Sequence, residues 1–119
     1  MASVHGITEW LASTRLHDEG TLPDAAAQTL LELMQMYRTA ESVITVAFDR
    51  KDSSGRSLYS VCAANPVQGE QSWEVQVYPD GYIFSMHFGA GGWNGELDGQ
   101  GEFLAHLHSC GYLAQMPVV

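Results

Sequence analysis

The spacing of hydrophobic residues changes near residue 41. Before that point, apolar side chains recur every three to four positions, as in helices; after it, they alternate with polar ones, as in half-buried strands. The first part predicts one helix from Val4 to about His17 and a second from Thr21 to about Ala40. Thr21 supplies a hydroxyl N-cap for the second helix, and Pro23 falls in its first turn. We therefore expect two helices joined by a short turn.

Four alternating segments follow, over residues 42–50, 58–64, 73–78 and 82–88. The clearest turn signal between them is Pro79-Asp80-Gly81, because proline presets the turn and glycine accepts positive φ. This turn predicts an antiparallel hairpin. We expect one buried face of that hairpin to carry Trp73, Val75, Val77, Tyr82, Phe84, Met86 and Phe88.

The last third of the chain is less regular. Residues 89–95 are rich in glycine and predict a tightly bent loop, although Asn94-Gly95 is also a hairpin signal. Asp98 is expected to cap a final helix that ends at Gly111 in a left-handed conformation. The sheet-facing residues of that helix are Phe103, Leu104 and Leu107. The tail from Leu113 is expected to add at most an edge strand, because Pro117 limits pairing.

Together these segments predict a single α+β domain over residues 1–119. It has two N-terminal helices, a four- to five-stranded antiparallel meander sheet and a C-terminal helix, in the order α-α-β-β-β-β-α. A chain of 119 residues with 45% hydrophobic and 16% charged residues can bury one core and is not disordered. Two cysteines do not make a disulfide framework, and neither a leader nor a long apolar stretch is evident. We expect a cytoplasmic protein with reduced cysteines.

The net charge of the chain disfavours some classes of binding partner. The net charge is −9, and all five Lys and Arg residues lie before residue 57. The acids without any basic residue in their own half of the chain are Glu70, Glu74, Asp80, Glu96, Asp98 and Glu102. Such a chain repels phosphates and anionic lipids, so direct binding to nucleic acid or membrane is disfavoured. The uncompensated acids are either a solubilising surface or a contact surface for a basic partner.

Histidine and cysteine residues offer the main alternative chemistry. On a helix, His106 and Cys110 share one face and form half of a zinc site, whereas His108 points roughly 200° away from His106. Only His87 or Cys62 from the sheet could complete the site, and no spacing requires that. We expect no metal and no cofactor, with Cys110 as a small core residue and the histidines as surface or rim groups. The chain also has no nucleophile elbow and no complete phosphate-binding glycine motif, so we expect no enzymatic activity.

Trp93 stands among glycines, as either a lid on the core or an anchor in an interface. With the acids that follow, it suggests a contact surface for a basic protein such as a toxin, a nuclease or a nucleic-acid-handling complex. We predict that this surface consists of Trp93, Glu96, Asp98 and Glu102, with Glu74 and Asp80 as additional members.

In size, charge and lack of catalytic motifs, the chain is similar to immunity proteins against bacterial toxins and to phage proteins that disable CRISPR or restriction systems. That resemblance implies a non-enzymatic inhibitor whose carboxylates substitute for nucleic-acid phosphates. One alternative is a homodimeric secretion-type chaperone or adaptor, although such chaperones usually place a helix between sheet segments. Another is a small-molecule enzyme that uses His87, His106 or His108. The oligomeric state is left open.

Overall fold

A computed structural model describes residues 22–89 and 92–116, without the side chains of residues 89 and 92–94. The elements in chain order are α1 (Ala25–Tyr37), β1 (Val43–Lys51), β2 (Ser57–Asn65), β3 (Gly69–Val77), β4 (Ile83–Gly89), β5 (Gly92–Asp98) and α2 (Gln100–Ser109). The five strands form one antiparallel sheet in the order β1-β2-β3-β4-β5. The α+β class and the meander topology are therefore confirmed.

The element count differs from the expected one. The helix predicted over Val4–His17 lies outside the described residues, and the order within them is α-β-β-β-β-β-α. The glycine-rich segment supplies the fifth strand, since β5 pairs with β4 across an irregularity beside His87. Glycine weakens a strand without preventing backbone pairing, and bulges accommodate such segments at a sheet edge. The tail contributes only an isolated bridge between Leu113 and Arg38.

Both helices cover the same face of the sheet. Leu30 and Met34 of α1 and Phe103 and Leu107 of α2 are buried in one cluster with the inner-face residues of the strands. Trp73 is the largest of these buried side chains and is 1% exposed. The predicted sheet-facing side of the last helix is therefore confirmed.

The predicted inner face of β4 is wrong by one residue. The register places Trp73 opposite His87, Val75 opposite Ser85 and Val77 opposite Ile83. Because neighbours across a pair point to the same side of a sheet, the odd-numbered residues of β4 face the helices. The residues predicted there, Phe84, Met86 and Phe88, lie on the opposite face, and Tyr82 precedes the strand and is 41% exposed.

The reason is the geometry of the turn between β3 and β4. Tyr78 N–H donates to Tyr82 O (2.8 Å) and Gly81 N–H donates to Tyr78 O (2.8 Å), so Ile83 is the first residue of the new strand. The length of the turn fixes the register of a hairpin. Because successive side chains point to opposite faces of a strand, a shift of the register by one residue moves every side chain to the other face. The apolar residues at positions 82, 84, 86 and 88 indicated the even-numbered face, and the pattern itself carries no information on the turn that reverses this choice.

The helix ends also differ in part from prediction. The N-cap of α1 is Asp24, whose carboxylate makes no capping bond and instead accepts the hydroxyl of Tyr59 (2.7 Å). Thr21 lies outside the described residues. Asp98 does not cap α2, because Gly99 at φ 91° is the N-cap, and Asp98 donates its backbone N–H to the Glu102 carboxylate.

The end of α2 is as predicted. Gly111 adopts φ 92°, and its N–H donates to His108 O (3.0 Å), while Tyr112 N–H donates to Leu107 O (3.0 Å). This pair of bonds is a Schellman motif, which needs a left-handed residue and so favours glycine. The motif turns the chain so that Tyr112 is buried against Trp73.

We expect Trp73→Ala to lower the free energy of unfolding by about 3 to 5 kcal/mol, because it empties a fully buried site between the sheet and α2. Urea denaturation measures this loss, and Trp73→Phe, which keeps an aromatic ring, is the milder control. An unfolding midpoint unchanged in Trp73→Ala would show that the indole is not in the core.

The register of β4 predicts that truncating Ile83 lowers the stability more than truncating its larger neighbour Phe84. Ile83→Ala should cost about 2 to 5 kcal/mol, because Ile83 is buried under the helices. Phe84→Ala should cost less, because Phe84 is only half-buried on the other face. If Phe84→Ala proved the more destabilising change in urea denaturation, the pairing of Val77 with Ile83 would be wrong.

Candidate functional site

The sheet face opposite the helices carries a mixed acidic and apolar surface over β3, β4 and β5. One row across these strands consists of Glu74, Met86 and Glu96, which are direct register partners. The adjacent row contains Phe84 and Asp98. We call these five residues the acidic face.

The spacing of the strands separates the carboxylates. Glu74 and Glu96 lie two strands apart, or about 10 Å between their backbones, with Met86 between them. Glu96 and Asp98 are exposed, whereas Glu74, Phe84 and Met86 are half-buried. The charges therefore surround a partly accessible apolar strip.

Arg56, which reaches Gln76 beside this face, is already engaged. Arg56 donates to the Asp52 carboxylate (Nε to Oδ2, 2.8 Å) and reaches Gln76 Oε1 through Nη1 (3.2 Å). Gln76 in turn donates to Glu74 Oε2 (3.0 Å). Within the described ranges, none of the three acidic-face carboxylates forms an ion pair. Their field is thus not neutralised by contact.

The structure brings together most of the predicted contact surface. Glu74, Glu96 and Asp98 share the acidic face, and Glu102 lies beside it on the first turn of α2, bonded to the Asp98 N–H. Asp80 lies apart, in the β3–β4 turn, where its carboxylate accepts the Tyr82 N–H (3.0 Å).

The backbone of Trp93 pairs with Phe88, which places the residue next to the acidic face in register. Its side chain is not among those described. Sequence reasoning missed Phe84 and Met86 as members of this surface, because it assigned them to the core. Their assignment depends on the register of the β3–β4 hairpin, which the spacing of residues in the sequence does not determine.

A second group of functional side chains lies on the inner face, at the junction of β4 and α2. The rings of His87 and His106 are 4.8 Å apart between centroids. His87 stacks on Trp73 at 5.1 Å and 21°, and its Nε2 donates to Gln71 Oε1 (2.6 Å). His106 and Trp73 form a T-shaped pair, with ring centroids 5.8 Å apart. We call His87 and His106 the histidine pair.

Partial burial favours the neutral form of both rings in the histidine pair. Desolvation lowers the pKa of His87, and desolvation together with the nearby His87 lowers the pKa of His106. The Trp73 face and the C-terminal end of α2 both favour a cation, but desolvation outweighs them. Two imidazolium ions at this distance would repel by about 3 to 4 kcal/mol at an effective dielectric constant near 20, before salt screening.

The expected surface or rim position of these histidines agrees with the structure, since His87 and His106 are half-buried and His108 is exposed. Cys110 joins the pair, with Sγ 3.6 Å from His106 Nε2, as the spacing of four residues predicted. Cys62 does not, since its register with Ser72 places it on the other face of the sheet.

The arrangement gives little support to metal or nucleophilic chemistry. Burial raises the pKa of the Cys110 thiol, whereas a metal ligand or nucleophile is a thiolate. The buried hydroxyl of Ser85 has no hydrogen-bond partner in the part of the chain described, so no base activates it. Among residues 22–89 and 92–116, no group of three or more His, Cys, Asp or Glu side chains is placed to hold a metal ion.

The fold and the site define an α+β domain with one helix-covered and one acidic sheet face. Comparison with protein-family models, with curated proteins and with solved structures finds no match. Neither described helix combines the length and apolar character needed to cross a lipid bilayer.

We expect the fold to need no metal. An excess of EDTA or 1,10-phenanthroline should leave the melting temperature unchanged, because structural zinc would be coupled to folding. Protein purified without a metal-affinity step should carry no stoichiometric metal in elemental analysis. Bound zinc whose removal lowers the melting temperature would contradict this expectation.

Proposed function

We propose that this protein is a non-enzymatic inhibitor that docks its acidic face on a basic surface of a partner protein. The observation that supports this proposal is the row of Glu74, Met86 and Glu96 across three strands, with Asp98 and Phe84 in the next row. Carboxylates on both sides of an apolar strip suit a cationic surface that also has apolar side chains.

The two components have different roles in binding. Unpaired carboxylates attract a basic partner over about a Debye length, 8 to 10 Å at physiological salt, and so increase the association rate. Charge alone gives little residence time, because exposed ion pairs are weak. Phe84 and Met86 supply apolar area that loses water on contact and slows dissociation.

The partner class follows from charge complementarity. Basic surfaces with apolar neighbours are typical of proteins that bind nucleic-acid phosphates, such as nucleases, nuclease toxins and nucleic-acid-handling complexes. A carboxylate surface placed there excludes the nucleic acid and blocks activity. The chaperone alternative has less support, because the described residues between β1 and β5 contain no helix.

We expect Glu96→Lys to slow association with the partner at least tenfold at low salt and to flatten its salt dependence, because it reverses a steering charge. Met86→Ala should mainly speed dissociation, by a factor corresponding to about 2 kcal/mol if Met86 is a central contact. Glu32→Lys is the matched control, since it makes the same charge change on α1, behind the sheet. It should change both rates less than twofold.

The partner is first identified by quantitative capture from cells with the wild type, Glu96→Lys and Glu32→Lys as baits. A partner that fits the proposal is basic, is released by salt, and is retained by wild type and Glu32→Lys but lost by Glu96→Lys. The purified partner should release its bound nucleic acid when the protein is added. If no protein distinguishes the three folded baits, the acidic face is a solubilising surface and the proposal fails.

A further inference from the structure

The histidine pair joins two elements that otherwise meet through apolar contacts. His87 belongs to β4 and His106 to α2, and both rings pack on Trp73 of β3. The fully buried residues of α2 are Phe103, Leu104 and Leu107, which do not titrate. Among the histidines, only this pair lies between α2 and the sheet in the described residues.

We propose that His87 and His106 form a pH-sensitive latch, which holds α2 on the sheet while both rings are neutral and loosens it when they are protonated. In the neutral pair, one ring stacks on Trp73 and the other meets it edge-on. Protonation places positive charge on two rings 4.8 Å apart in a site that is partly shielded from water.

The surroundings supply no counter-ion. Facing the pair are Gln71 from β3, Gly95 from β5 and Cys110 at the end of α2, while Tyr112 packs on the same Trp73 indole. In the described residues, none of these carries a negative charge at neutral pH.

The nearby carboxylates are directed elsewhere. Glu102 lies one helical turn before His106, but its carboxylate accepts the Asp98 N–H. Glu70, Glu74 and Glu96 lie on the outer face of the sheet by register. A proton added to the pair is therefore not compensated by a neighbouring anion.

The sign of the pH effect follows from the direction of the pKa shifts. Both folded-state pKa values are lowered from 6.5, the ordinary value for histidine. The loosened or unfolded chain therefore binds more protons, and stability that is complete above pH 6.5 is lost as the pH falls below it. The loss ends only below the folded-state pKa values.

The latch also bears on the acidic face, because Glu102 on α2 holds the backbone of Asp98 at the end of β5. That consequence rests on the proposed function, whereas the latch itself does not. Its test is therefore made without a partner, so that the two proposals can fail separately.

The test uses the full chain with His5, His17 and exposed His108 replaced by Gln, so that the pair are the only histidines. Between pH 6.5 and 5.5, each ring that stays neutral in the folded state should raise the unfolding equilibrium constant about fivefold, or about thirtyfold for two. Urea denaturation measures this change. In the same chain with His87→Phe and His106→Phe, the change should be less than twofold.

Two measurements do not depend on the Phe variants. In the reference chain, NMR titration of the two imidazoles should give midpoints below pH 6.5. Amide exchange at pH 5.5, corrected for intrinsic rates, should be faster than at pH 7.5 in α2 and unchanged in β2. Midpoints at or above 6.5, a stability independent of pH in the reference chain, or faster exchange throughout the sheet would overturn the latch.

Discussion

The indole of Trp73 lies between the sheet, α2 and the tail that follows α2. It stands on the central strand of the sheet, pairs in register with Val61 on one side and His87 on the other, and is covered by Phe103 of α2 and by Tyr112 of the tail. A side chain of this size is buried only if α2 and the residues after it close over it. The Schellman turn at Gly111 and the position of the histidine pair both follow from that requirement.

Because both helices pack on one side, the sheet has two chemically different faces. The inner face is apolar and carries the histidines near its rim, while the outer face over β3 to β5 combines acids with half-buried apolar side chains. An antiparallel meander permits this division, since alternate residues of each strand serve opposite surfaces. The even-numbered residues of β4 thus belong to the acidic face, whereas the odd-numbered His87 of the same strand lies on the inner face.

The two proposals use this division differently. The acidic face acts through charge that stays solvated and through apolar area that is covered on binding. The histidine pair acts through charge that burial suppresses. Glu102 and Asp98 connect them, because a bond between α2 and the end of β5 ties the docking of the helix to the edge of the acidic face.

The sequence by itself determined the α+β class, the strands between residues 42 and 88, the final helix and its glycine end, because periodicity and turn residues act locally. It also determined which acids lack a basic neighbour in their half of the chain. It did not determine that a glycine-rich segment forms β5, since that pairing is stabilised by β4 rather than by its own residues. Nor did it place Phe84 and Met86 beside the acids or His87 beside His106. Those positions depend on a one-residue register choice in the β3–β4 turn and on contacts between residues far apart in the chain, which only the tertiary structure decides.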